Sequence, residues 1–79
     1  MNTNKLNIEV SANESKKASM IIKHSDLENR FVCLVSQINP TLWTISFDCA
    51  DNAQSERARL LNAMQFNLTI GGVQEFKFS

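Results

Sequence analysis

Lys17-Ala18-Ser19-Met20-Ile21-Ile22-Lys23-His24 decides the fold of this chain, because it reads in two ways. As a strand it puts Ala18, Met20 and Ile22 on one face and Ser19, Ile21 and Lys23 on the other. As a helix it draws on good helix formers, Ala, Lys and Met. Ser11 and Glu14 ahead of it also have capping-box spacing. Helical spacing, however, spreads Ala18, Met20, Ile21, Ile22 and Leu27 around the whole cylinder instead of along one stripe. The strand is therefore the preferred reading, and Ser25-Asp26-Leu27-Glu28-Asn29 becomes a turn. With residues 13–28 helical the order would instead be β-α-β-β-α-β, the split ferredoxin-like arrangement.

On the N-terminal side, Leu6, Ile8 and Val10 alternate with Lys5, Asn7, Glu9 and Ser11. Period two means a strand with one apolar face, and the charged alternate positions suit an edge or a solvent-facing place. On the C-terminal side, no charged residue occurs from Phe31 to Phe47. Two apolar stretches there, Phe31 to Val35 and Leu42 to Phe47, flank Asn39-Pro40 and predict a β-hairpin. A turn centred on Asn39 pairs Val35 with Trp43 and Cys33 with Ile45, which keeps the apolar sets on a common face.

Residues 51–64 read as a helix. Asp51 and Gln54 have capping-box spacing. Ala53, Arg57, Leu60, Leu61 and Met64 follow helical periodicity, with the Arg57 stem able to snorkel at the stripe's edge. Phe66, Leu68 and Ile70 then alternate, and Gly71-Gly72 signals a turn. A three-residue turn, Gly71-Gly72-Val73, pairs Leu68 with Phe76 and Phe66 with Phe78. The expected fold is α+β: an antiparallel sheet of five to six strands with one helix, 51–64, packed on one face. Trp43, Ile45, Phe47, Leu60, Leu61, Met64, Phe66, Leu68 and Phe76 would form its core.

The 79 residues are 43% hydrophobic, which suits one small globular domain spanning 1–79. At this size one core is only marginally sufficient, and oligomerisation is a common supplement. Eight basic and eight acidic side chains cancel. Residues 1–30 hold five Lys/Arg against four Asp/Glu, and residues 31–79 hold three against four. No basic stripe of the kind that supplies phosphate affinity stands out, which argues against nucleic acid. The polar Met1-Asn2-Thr3-Asn4-Lys5 has no apolar signal region. The uncharged run falls short of the ~20 residues of a membrane span. The expected location is cytoplasmic, with reduced thiols.

No catalytic, metal or cofactor motif is legible. The spacing of Cys33 and Cys49 fits no zinc pattern, and His24 is the only histidine. In the hairpin register Cys33 lies ~13 Å from Cys49, beyond the ~7 Å reach of a disulfide. A Cys-His pair is the sharper alternative to two small buried thiols. His24 reads as a surface residue beside Ser25 and Asp26. Gly71-Gly72 lacks the G-x-G-x-x-G phosphate pattern and a following helix. Asp48 and Asp51 are near neighbours, but Asp51 is taken as a cap. Arg57 and Arg59 read as a solvated helix face. One His, no Tyr and this length argue against a monomeric enzyme.

The expected interaction surface is the second face of the sheet. Ile21, Val32, Leu34, Leu42 and Thr44 would point away from the helix there, with no charge among them. One helix covers one face, and monomers rarely leave a large contiguous apolar patch exposed. Either the N-terminal segment folds over this face or another molecule does. The functional expectation is a non-catalytic protein-binding module, with Val32 and Leu34 as anchors and Ile21 and Leu42 at the margin. In size and composition the chain is similar to the small single-domain inhibitors and accessory proteins of phages and mobile elements. That resemblance implies an inhibitor or accessory role on a larger protein partner. Alternatives are a homodimer or structural homo-oligomer subunit, and a nucleic-acid-binding domain using Lys16, Lys17, Lys23 and Arg30 on or near one strand.

Overall fold

In a computed structural model, which describes residues 5–47 and 53–79, residues 17–24 are helical. Strand β1 (Lys5–Val10) leads through a short 3-10 turn into α1 (Ser15–His24) and a single turn of helix, α2 (Leu27–Arg30). The hairpin β2 (Cys33–Asn39) and β3 (Leu42–Phe47) follows, then α3 (Ala53–Ile70) and β4 (Phe76–Phe78). The sheet has four antiparallel strands in the order β2-β3-β1-β4. The class is α+β, and the split β-α-β-β-α-β connectivity is the observed one. The expectations of five to six strands and of one helix are corrected by α1 and by the length of α3.

The objection to a helix at 17–24 disappears at Asp26. Its backbone is left-handed, with φ 52 and ψ 49, a conformation Asp tolerates better than most residues. The chain turns there, so Leu27 belongs to α2 and not to the face of α1. Ala18 and Ile22 alone look onto the sheet and are buried. Ile21 packs at the core margin, while Met20 stays exposed. Ser25 Oγ donates to the Ile21 carbonyl at 2.8 Å and closes the last turn.

The capping-box residues take other work. Ser11 is extended at the start of the 3-10 turn, with no side-chain cap bond to the helix backbone. Glu14 instead reaches across the fold. Its carboxylate accepts from the backbone N–H of Glu75 at 3.0 Å and of Gln74 at 3.1 Å. These two amides, Glu75 first, hold its pKa below the ordinary 4.5. A lowered folded-state value means a stabilising contribution that is present above that ordinary pKa and lost as pH falls through the folded one. The stability difference between wild type and Glu14→Gln is therefore expected at pH 7 and should vanish on acidification. Urea midpoints from pH 7 down to 3 check it, and a constant difference would refute the linkage.

Helix α3 runs six residues past the expected end at Met64. Leu60, Met64 and Leu68 form its buried stripe. Phe66 and Ile70 lie on the outside at 64% and 68% exposure, so Phe66 leaves the expected core. Gly71-Gly72 ends a helix and makes no hairpin. Gly72 has φ +91, and Val73 N–H donates to the Leu68 carbonyl at 2.9 Å while Gly72 N–H donates to Thr69 at 3.2 Å. This is a Schellman cap, with buried Val73 and Leu68 supplying its apolar contact. The expected pairings Leu68–Phe76 and Phe66–Phe78 are absent; β4 pairs with β1, placing Phe78 opposite Ile8.

Strand β1 is central, not an edge: it lies between β3 and β4. Leu6, Ile8 and Val10 face the helices together with Trp43, Ile45 and Phe47. The hairpin register is two residues off the expected sum. Val35 pairs with Ile45 and Cys33 with Phe47, and a bulge follows Gln37. Asn39 Oδ1 accepts from Thr41 N–H at 3.0 Å, which shifts the turn toward Pro40. Parity is kept, so Cys33 and Val35 still face the core side. Asp51 and its proposed cap lie outside the described residues, as do Asp48 and Cys49.

Candidate functional site

Strand β2 is the long open margin of the sheet, since β4 at the other edge spans only three residues. An antiparallel strand turns alternate backbone N–H and C=O groups to its two sides. Val35 is a position whose N–H points outward. It donates to Glu28 Oε2 at 2.7 Å. The neighbouring outward positions, by alternation, are Cys33 and Gln37.

Exposed apolar side chains collect along this strand and at the residue that leads into it. Val32 is 66%, Leu34 60% and Ile38 58% exposed. Of the expected site residues, Leu34 lies on β2 and Val32 immediately precedes it. Leu42 and Thr44 are half-buried on β3, and Thr44 Oγ1 donates to Asn7 Oδ1 at 2.8 Å. Ile21 is corrected: it lies on α1, on the helix side of the sheet, against Gly71.

The expected uncharged outer face is corrected as well. Insertion of β1 beside β3 sets Lys5 opposite Ser46 and Glu9 opposite Leu42, and β4 sets Lys77 opposite Glu9. Polar residues at the alternate positions of β1 and β3 let that part of the sheet face water. The strongly exposed apolar residues of this layer, Val32, Leu34 and Ile38, lie on β2 or directly before it. Ile38 and Glu28 belong to this margin and were not expected there. Ile38 falls in the same uncharged run, which was the signal available for it; Glu28 is placed by tertiary packing.

A cleft of about 290 Å³ opens on the helix side of β2. Its apolar walls come from Ile22, Leu27, Val35 and Trp43, and Lys23, Asp26 and Glu28 stand around it. It exists because α2, a single helical turn, is the element laid against β2, while α3 covers β1 and β3. Met20, Phe66 and Ile70 are exposed on the helical layer, without an open backbone edge beside them.

The residues considered for chemistry point elsewhere. Cys33 is half-buried, and its thiol donates to the Leu27 carbonyl at 3.5 Å. Burial first, then the negative charges of Glu28 and Glu56, push its pKa up to about 11, so at neutral pH it is a protonated thiol and a poor nucleophile. His24 is exposed, with Nδ1 on the Met20 carbonyl at 3.0 Å. Among the described residues no cluster of His, Cys, Asp and Glu could hold a metal ion, and no helix is long and apolar enough to cross a membrane.

The basic set is also redistributed. Lys16, Lys17 and Lys23 lie on α1 and Arg30 ends α2, so they share no strand. Lys17 Nζ reaches the Gly72 carbonyl at 3.5 Å. Arg30 sits over the Phe31 ring, 5.6 Å from its centroid. Arg57 turns inward, its Nε donating to the Lys5 carbonyl at 3.0 Å. Comparison with protein-family models, with curated proteins and with solved structures finds no match.

Proposed function

We propose that this chain is a small protein-binding module that occupies a surface on a larger protein through its β2 margin. One observation carries the reading: Val32, Leu34 and Ile38, each more than half exposed, lie along a single open strand and the residue that leads into it. Burying three such side chains against a partner is worth about 1.5–3 kcal/mol each before the costs of association. An inhibitor or accessory role is the form such occupancy would take.

Leu34→Glu tests it. Leu34 is 60% exposed, so the substitution should leave folding stability within about 0.5 kcal/mol. A charge placed in the centre of a desolvated contact should weaken partner binding by about tenfold or more. Parallel captures from a lysate of the source cells, with wild type and variant as matched baits, should show a protein retained by the first and lost by the second. Identical captures, or an unfolded variant by circular dichroism, would sink the proposal.

A further inference from the structure

We propose that the partner engages β2 as an added strand: an extended peptide segment pairs with its outer edge and seats one apolar side chain in the adjoining cleft. This rests on the binding-module reading above and specifies its partner. The first ground is Glu28. Its Oε2 sits 2.7 Å from the outward Val35 N–H, where the carbonyl of a paired strand would accept. A side chain thus holds the place of a backbone acceptor on this edge. The second ground is Val35 itself. Its N–H belongs to the open ladder, and its side chain lines the cleft with Ile22, Leu27 and Trp43.

The third ground is period. Side chains of an added strand alternate between the two faces of the sheet. One would enter the cleft on the helix side, and the next would lie beside Leu34 on the outer side. Main-chain hydrogen bonds then supply affinity, and the cleft supplies side-chain selection. The ligand class is an extended, proline-free segment with an apolar residue for the cleft. The Glu28 carboxylate must swing out as the segment pairs.

Random nonapeptides displayed on a library and panned against the full chain provide the probe. The tightest peptide is then synthesised in two further forms, N-methylated on one or the other alternate set of amides. Methylation of the set facing β2 should cut affinity by about tenfold per ladder bond lost, and methylation of the opposite set should leave it nearly unchanged. The Val35 amide resonance should shift on binding, and Glu28→Ala should bind the unmethylated peptide more tightly. Equal effects of the two methylations, an unmoved Val35 amide, or a library that yields no binder would each overturn strand addition. Self-pairing of β2, seen as a wild-type dimer by sedimentation that Gln37→Pro dissociates, would also overturn it. Should the methylated forms bind alike while Leu34→Glu still abolishes binding, strand pairing fails and the binding-module reading survives.

Discussion

Leu68→Ala is expected to cost about 2–5 kcal/mol of folding stability, whereas Phe66→Ala, close by on the same helix, should change it by less than about 0.5 kcal/mol. Leu68 is fully buried, in line with Leu60 and Met64. Its truncation removes packed methyl groups from under the sheet and leaves a cavity that the helix and strands cannot close. It also removes one half of the apolar contact with Val73 that seals the helix end. Phe66 is 64% exposed, and at an exposed helical position Ala is the better helix former. A domain of this size has only about 0.05–0.15 kcal/mol of stability per residue. Leu68→Ala thus takes a large share of the total. Urea titrations of both variants with matched m-values provide the measurement. Comparable losses at the two positions would mean that both side chains face the core, as in a strand.

That pair of residues also shows where the sequence was ambiguous. Phe66, Leu68 and Ile70 satisfy period two, and Leu68 alone continues the stripe of Leu60 and Met64. Glycines serve a hairpin turn and a helix C-cap equally well, because both need a positive φ. The apolar Val73 after Gly72 was the feature that favoured the cap. Between Ala12 and Asn29 two residues blur the helical stripe: Met20, which lies on the exposed side of α1, and Leu27, which the left-handed backbone at Asp26 separates from α1. Periodicity carries no trace of that separation.

The β1 and hairpin elements were legible because their apolar residues alternate with nothing competing. The position of β1 was not. Lys5, Asn7 and Glu9 mark a wet face, and a central strand of a one-sided antiparallel sheet has a wet face just as an edge strand does. The neighbours of a strand are decided by long-range pairing, which local pattern does not report. The same gap explains the candidate site. Val32 and Leu34 stood out as uncovered apolar residues. Ile21 shares the outer face with them only if residues 17–24 form a strand, and nothing in the local pattern places the charges of β1 and β4 beside it.

Glu9→Pro is expected to unfold the domain, and Gln37→Pro to leave it folded, although both replace exposed residues in strands. Asn7 and Ser79 exchange both backbone bonds, at 3.0 and 3.1 Å, and Ser11 N–H donates to the Glu75 carbonyl at 3.1 Å. Glu9, midway between them and opposite Lys77, therefore turns its N–H toward β4. Leu6, Ile8 and Val10 turn theirs toward β3, as the 3.0 Å bond from Val10 to the Thr41 carbonyl shows. From Leu6 to Val10 each N–H of β1 faces a neighbouring strand, so none of these positions spares a donor. Proline at Glu9 deletes a ladder bond, leaves a carbonyl of β4 unpaired and drives its ring into the neighbouring strand, a combined loss of at least about 3 kcal/mol. Gln37 lies two residues beyond Val35 on the same ladder, so its N–H points away from β3. Proline is compatible with an edge strand whose lost donor faces solvent. Circular dichroism and thermal melts of the two variants read the contrast. Folded Gln37→Pro should no longer bind the selected peptides, since an added strand would meet a ring where it needs a donor. Unfolding of both variants alike would show that β2 offers no free edge, and would remove the ladder on which strand addition depends.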